Sequence, residues 1–535
     1  MALTSDQYSR LLQFLEQTDS YPHQPEEVKH IQTHISHVFM AGDYVYKIKK
    51  PVDFEFLDYS TLAKRKHFCE QEVTLNRRLC EDVYLGVVPI GRTGGTFALE
   101  TQEADIVEYA VKMKKLDSEY FLHTLIERDN LTNDHLERVA DKLASFYSAQ
   151  QRDDQILQYG TIEKVKFNTD ENFRQTRPYI GETIDQLSFD AIQAYTDSYF
   201  KRRKSLFQRR IEENRIVDGH GDLHLDHIHI TPEKVRIYDC IEFNERFRYG
   251  DLAADLAFLA MDLDFRDRWR EERYFVNRMA DKLDDPDLPG ILTFYKCYRA
   301  YVKGKVKSLQ SGEEEVPRAE RREAAGIARR YFDLSLRYAL LGSEPTACIV
   351  MGRIGSGKST LAEMMAETLS LPIFSSDRIR KSMAGLPLHE RTPDETRPAL
   401  YSQAMSDKTY NELQQRAIEQ LKQGTTVILD ATYSDRQSRK NLVELLARHN
   451  MDYLFIEANA SDETIKERLK KREGGQVVSD ARLEDFEALD QNYTPPAEIA
   501  ASHLLSVSTE QPFLDTREEL YRKLVKRHLE KEKDT

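Results

Sequence analysis

Two hydrophobic patterns divide the chain. Before residue 116, short apolar or alternating runs at 38–40, 44–49, 87–90, 96–100 and 106–112 read as strands. Mostly helical patterns follow, interrupted by strand-like pieces at 228–230 and 235–238. Strands first and helices later predict an α+β, two-lobed body. From residue 347 the pattern alternates. An apolar strand at 347–351 precedes a helix from Lys358, then a short strand at 371–374. A helix over 402–423, a strand at 426–429, a helix over 436–449 and a strand at 453–457 complete the series. That alternation predicts an α/β domain with a parallel sheet and helices on both faces. Between the two parts, a charged stretch at 311–330 leads into a helical pattern over 331–341, which Gly342-Ser343-Glu344-Pro345 breaks. The expected organisation is 1–310, a helical linker at 311–346, a second domain at 347–510, and a C-terminal helix at 511–535.

At 535 residues the chain is too long for one core. Lys+Arg 77 against Asp+Glu 91 gives a net charge of −14, the wrong sign for a non-specific nucleic-acid or anionic-membrane binder. A nucleic-acid partner is thus possible but disfavoured. No run of about 18 apolar residues occurs, so no membrane-spanning helix is expected. Residues 1–21 are polar and amphipathic, without the apolar core of a signal peptide. Five scattered cysteines without a CxxC argue against a disulfide framework and a Cys-based zinc site. The expected location is the cytoplasm.

Gly352-Arg-Ile-Gly355-Ser356-Gly357-Lys358-Ser359-Thr360 matches GxxxxGK[ST] in full, between an apolar strand and a helix, as a phosphate-binding loop requires. Glycines let successive N–H groups face phosphate oxygens, the helix N-terminus adds partial positive charge, Lys358 reaches the terminal phosphates and Ser359 ligates Mg²⁺. Downstream, Asp377 in Ser375-Ser376-Asp377-Arg378-Ile379-Arg380 is placed to accept the proton of an attacking hydroxyl, with Arg380 orienting substrate or phosphate. A helix N-cap is the structural alternative for Asp377. Over about 347–510 the sequence resembles small P-loop kinases that phosphorylate polynucleotide 5′-hydroxyls, gluconate or shikimate. Asp430, ending the apolar strand Val427-Ile428-Leu429-Asp430, has the position of a Mg²⁺-facing or substrate-facing carboxylate. Arg468 and Arg472, one helical turn apart in ERLKKREGG, resemble lid arginines that close over the transferring phosphate; a solvated basic helix face is the alternative.

A second constellation lies at 218–244. Asp218-Gly-His220-Gly-Asp222-Leu-His224-Leu-Asp226-His227 precedes a strand, and Asp239 follows the next strand. Kinase-type sites pair a hydroxyl-activating carboxylate with a metal carboxylate in this way. Over about 30–310 the chain is similar to the aminoglycoside phosphotransferase-like kinase family, whose catalytic loop is H-G-D-x-x-x-x-N. The resemblance makes Asp222 the catalytic base and Asp239 a Mg²⁺ ligand, and the helix containing Asp251 and Asp255 a brace for the loop. It makes Lys47 the ATP-anchoring lysine, with Lys49 and Lys50 competing for the role, and Glu72 its ion-pair partner, with Glu70 as alternative. His227 stands where the family has a metal-binding Asn, and imidazole is a poor ligand for hard Mg²⁺. Four histidines, 220, 224, 227 and 229, also admit a zinc reading in which His227 and His229 share a strand face. In the alternative, His220 packs structurally.

The expected function is an ATP- and Mg²⁺-dependent phosphotransferase with two nucleotide-binding domains, moving the γ-phosphoryl group to a hydroxyl of a small molecule. The alternatives are a nucleic-acid 5′-hydroxyl kinase in the C-terminal half, or a P-loop ATPase switch beside a catalytically weak kinase-like domain. The oligomeric state is not legible.

Overall fold

The computed structural model describes residues 3–54, 56–101, 105–314, 316–472 and 482–531, with the side chain of Arg472 excepted. Two compact units emerge. The first comprises Met1–Phe167, Lys204–Arg266 and Glu271–Leu292; the second comprises Asn168–Arg203, Asp267–Arg270 and Thr293–Thr535. The second unit therefore takes in chain from both sides of residue 310.

The first unit has the α+β form. Its antiparallel sheet runs, in spatial order, Val28–Gln32, Ser36–Ala41, Tyr44–Lys49, Asp105–Lys114, Tyr84–Thr93 and Thr96–Leu99. Strand periodicity sorts the residues of Tyr44–Lys49 onto two faces. Tyr46 and Ile48 join a core with Leu11 and Leu15 of the helix Ser5–Leu15. Val45 packs on the other face with Cys69 and Val73 of the helix Leu62–Asn76. Lys47 and Lys49 share the Val45 face, so alternation alone delivers both lysines to that helix. Farther along, the hairpin Ile228–Ile230 with Val235–Ile237 follows the short turn Leu225–His227. The helix Leu252–Phe265, apolar nearly all round, is buried along almost its whole length.

The second unit carries a wholly parallel five-stranded sheet in the order Ile373–Ser375, Val427–Asp430, Thr346–Met351, Asp452–Asn459 and Leu504–Ser508. Its central strand is fully buried, as a parallel strand covered on both faces must be. Leu413, Ala417 and Leu421 of the helix Gln403–Lys422 and Leu442 and Leu446 of the helix Arg436–Arg448 pack into the core with Ile349 and Leu429. The charged stretch at 318–330 and the pattern at 331–341 form one 24-residue helix, Arg318–Leu341, with a long buried face. It packs with the helices Gln186–Arg202 and Phe513–Lys531. There Tyr195 stacks on His528 with ring centroids 5.1 Å apart, and His528 Nδ1 bonds the Ala339 carbonyl at 3.0 Å.

Candidate nucleotide and acceptor sites

The strand Thr346–Met351 delivers the phosphate loop, and the helix Lys358–Leu369 leaves it. Gly352, Gly355 and Gly357 take φ values of 149°, 69° and 93°, conformations that L side chains rarely adopt. A Cβ on Gly352 would lie 2.5 Å from the Ala458 carbonyl oxygen and 2.8 Å from Ser356 Oγ. Gly357 is the helix N-cap and offers no side-chain acceptor to the first-turn N–H groups, which leaves them for an anion. Ser356 is buried with its Oγ lacking a hydrogen-bond partner. Thr360 is exposed one residue beyond Ser359.

Asp430 ends the neighbouring strand, in register with Val350 and Ser375. Burial raises its carboxyl above the ordinary value, against the pull of the Lys358 cation and the Ser359 hydroxyl, while the Asp377 charge pushes the same way as burial. Its Oδ1 is buried without a hydrogen-bond partner. A carboxylate and a hydroxyl thus meet beside the loop with the Lys358 cation near them, and the two hard oxygen donors fit Mg²⁺.

A cavity of 1210 Å³ opens beside Lys358 and includes Asp377, Arg380, Arg397, Tyr401, Asp435 and Tyr493 in its wall. Ser375 is the N-cap of the helix Ser376–Met383, so Asp377 lies in the first turn and does not cap it. Arg380 Nη1 is 3.2 Å from Asp377 Oδ1, and its guanidinium lies 4.8 Å over the Tyr401 ring. The wall carries both signs of charge, six acidic and five cationic side chains. Ion pairs tie residues 482–490 to this site: Arg353 of the loop to Asp490, Arg397 to Asp485, and Arg482 to Asp394 at 2.5 Å; Arg353 also pairs with Asp462 at 2.6 Å. Arg468 grips the loop from below. Its Nη1 donates to the Ser356 carbonyl at 3.2 Å and to Thr509 Oγ1 at 3.0 Å, and Nη2 donates to the Thr509 carbonyl. The Arg472 side chain lies outside the described residues.

In the first unit, Lys47 Nζ is 2.9 Å from Glu72 Oε1 and 2.7 Å from Asp239 Oδ1. Lys49, only 1% exposed, sits 2.8 Å from Glu72 Oε2 and also pairs with Glu242, which accepts the Tyr59 hydroxyl at 2.6 Å. Both lysines therefore bind Glu72, and Lys47 is the one that reaches Asp239. Glu70 is exposed beside Lys66 at 3.8 Å. Burial pulls the Lys47 pKa down, but Asp239 and Glu72 hold it well above the ordinary value. Burial likewise opposes the charge on Glu72 and Asp239, and the lysine cations overcome it and keep both carboxyls low. Asp239 adopts φ of 62° and donates its N–H to Tyr84 Oη at 3.1 Å.

Asp255 fixes the loop before Asp222. Its carboxylate accepts the N–H groups of His220 at 2.7 Å and Gly221 at 2.8 Å, and the Tyr147 hydroxyl at 2.8 Å. His220 packs structurally, its Nε2 against the Tyr238 carbonyl at 2.9 Å. His227 Nδ1 donates to the Asp222 carbonyl at 2.9 Å, and Nε2 lies 3.5 Å from Asp239 Oδ2. Burial and the neighbouring His224 push the His227 pKa down to about 4. The pairing of His227 with His229 does not form. His227 belongs to the turn Leu225–His227, before strand alternation begins, and His229 turns to the Asp117 carbonyl at 3.0 Å. The structure instead groups His227 with Asp222 and His224.

Sequence reasoning named Lys49 only as a rival to Lys47, and did not single out its partners Glu242 and Tyr59, nor Arg353, Arg397, Tyr401 and Thr509. The i, i+2 spacing of Lys47 and Lys49 on one strand was a readable signal; the others depend on long-range contacts.

A family model described as an AAA domain matches residues 348–496. Uncharacterized proteins of Mycobacterium tuberculosis (strain H37Rv) and Mycobacterium bovis are 31% identical over 458 residues, covering 86% of this chain and 88% of theirs. Among solved structures, a gluconokinase from Sinorhizobium meliloti is 21% identical with a TM-score of 0.25, covering 35% of this chain and 95% of its own. A choline kinase from Cryptosporidium parvum is 11% identical with a TM-score of 0.38, covering 62% of this chain and 95% of its own.

Proposed function

The chain belongs to one family with those mycobacterial proteins, and on that premise we propose that it is an ATP-dependent phosphotransferase with two nucleotide sites. The shared 458 residues are too many to fall within either half, so the match draws on both. The reading rests foremost on one observation: Lys358, Ser359 and Asp430 converge at the phosphate loop, which opens onto a cavity with Asp377 in its wall.

In the C-terminal half, loop N–H groups and Lys358 hold the phosphates of ATP. Mg²⁺, which Ser359 and Asp430 would hold, supplies charge neutralisation on those phosphates. Asp377 accepts the acceptor's hydroxyl proton as the new O–P bond forms and the bond from γ-phosphorus to the bridging oxygen breaks, releasing ADP. Arg380 holds Asp377 in place through their 3.2 Å ion pair. The mixed charge of the cavity wall favours a small polyhydroxylated acceptor over a polyanionic nucleic-acid end. In the N-terminal half, Lys47, held by Glu72, anchors phosphate; Asp239 is the metal carboxylate and Asp222 the base.

A second reading has one observation in its favour. His227 stands beside Asp239 where an oxygen ligand would suit Mg²⁺, so the N-terminal half would bind nucleotide and transfer slowly. Equilibrium binding of a non-hydrolysable ATP analogue with Mg²⁺ tests the two-site proposal. Two equivalents per chain are expected, falling to one in Lys358→Ala and to one in Lys47→Ala. A single equivalent in the parent, unaffected by Lys47→Ala, overturns the N-terminal site.

A further inference from the structure

Asp222, His224 and His227 form, among the described residues, a group of His, Cys, Asp or Glu donors within 4.8 Å of one another. Asp222 Oδ2 lies 3.4 Å from His224 Nε2 and 3.7 Å from His227 Nδ1, and the Asp222 carbonyl oxygen is 2.9 Å from the same Nδ1. Donors each about 2.1 Å from one ion sit roughly 3.0 to 3.4 Å apart at right-angled to tetrahedral geometry, so the His224 separation already fits and the 3.7 Å His227 separation must close by a few tenths of an ångström. Both imidazoles are largely buried.

The far side of each ring strengthens the case. A metal-bound imidazole gives a lone pair from one nitrogen and donates N–H from the other, commonly to a carboxylate. His227 Nε2 is 3.5 Å from Asp239 Oδ2, and His224 Nδ1 is 3.6 Å from Asp226 Oδ2. Asp226 is itself fixed by His123 Nδ1 at 3.0 Å and Arg266 at 3.7 Å. Each potential ligand ring thus has a carboxylate beside its outer nitrogen, a few tenths of an ångström short of a hydrogen bond.

We propose that Asp222, His224 and His227 bind a divalent transition metal of the Zn²⁺ or Co²⁺ class, with Asp226 and Asp239 as outer carboxylates. Imidazole selects such ions over Mg²⁺. On loading, the His227 proton moves from Nδ1 to Nε2 and is accepted by Asp239. The His224 proton moves from Nε2 to Nδ1 and is accepted by Asp226, whose 3.4 Å N–H contact to that nitrogen gives way. A loaded Asp222 can no longer accept a proton. On the phosphotransfer reading, which this consequence alone requires, the ion switches off the N-terminal half.

The test is a Co²⁺ titration of the metal-stripped full-length chain without nucleotide, followed by the visible absorption of imidazole-bound Co²⁺. All five cysteines are buried, so surface thiols do not compete. One equivalent is expected, displaced by Zn²⁺ and not by Mg²⁺. Asp226→Asn should weaken binding about tenfold, and His224→Gln by more than the roughly 10- to 100-fold range of outer residues. His30→Ala, which breaks the separate His30–His37 contact at 2.9 Å, should leave it unchanged. Absence of the absorption band, unchanged affinity in Asp226→Asn and His224→Gln, or loss in His30→Ala overturns the proposal. Should His224→Gln fail to fold, Asp226→Asn at its half-exposed position decides alone.

Discussion

Glu72 is the single carboxylate shared by two buried lysines, and replacing it with Gln isolates its electrostatic role at nearly constant volume. Lys47 and Lys49 sit 2.9 and 2.8 Å from its two oxygens. Removing one partner of a buried ion pair costs about 3–5 kcal/mol because a charge is left uncompensated. Here each lysine keeps another carboxylate, Asp239 for Lys47 and Glu242 for Lys49. The expected loss is therefore smaller, about 2–3 kcal/mol, or roughly a hundredfold in the local opening equilibrium. Hydrogen exchange read by mass spectrometry on peptides covering Tyr44–Lys49 and Leu62–Asn76 measures that opening directly. Protection in both segments should fall by that factor in Glu72→Gln and stay unchanged in Glu70→Gln, whose side chain is exposed beside Lys66. Equal, small effects from the two substitutions would refute the assignment of Glu72 as the shared counter-ion.

Gly352→Ala should abolish binding of a fluorescent ATP analogue at the P-loop site, measured in a Lys47→Ala background, because its Cβ would press on the Ala458 carbonyl at 2.5 Å. Arg468→Lys, which cannot serve Ser356 and Thr509 together, should weaken ATP at that site about tenfold by loosening the loop, seen as a higher KM with kcat retained. Asp333 supplies the pH dependence. Burial, then the Asp185 charge, raise its pKa from 3.8 to about 7. Its folded form holds a proton that the unfolded chain has lost, so its contribution is intact below pH 3.8 and is lost as pH rises through 7. Asp333→Asn should therefore be more stable than the parent at pH 8 by about 1–3 kcal/mol, with a smaller difference at pH 5, in urea unfolding.

The fold class was legible because its signals are local. Alternation at 44–49 and the strand–loop–helix run at 347–369 need no distant partner to be read. Lys47, Glu72, Asp222 and Asp239 were nameable from spacing and family resemblance, and the structure brings Lys47, Glu72 and Asp239 into one ion-paired group. What was not legible depends on contacts across long stretches of chain. Glu242 reaches Lys49 over 193 positions, and Arg397 pairs with Asp485 over 88 positions. Within the helical linker expected at 311–346, the charged stretch gave no sign of the buried face that Ala324 and Ala328 form on the helix Arg318–Leu341. Edge strands Val28–Gln32 and Leu504–Ser508 carry too weak an alternation to stand out.

The most direct measurement is transfer of γ-labelled phosphate from ATP to pooled sugars, nucleosides, other small alcohols and a 5′-hydroxyl oligonucleotide. Label should move to a small-molecule hydroxyl, with the C-terminal share lost in Lys358→Ala and in Asp377→Asn, and Asp377→Asn should still bind ATP. ATP hydrolysis with no labelled acceptor, abolished by Lys358→Ala and indifferent to Asp377→Asn, would contradict the account and identify a nucleotide-driven switch.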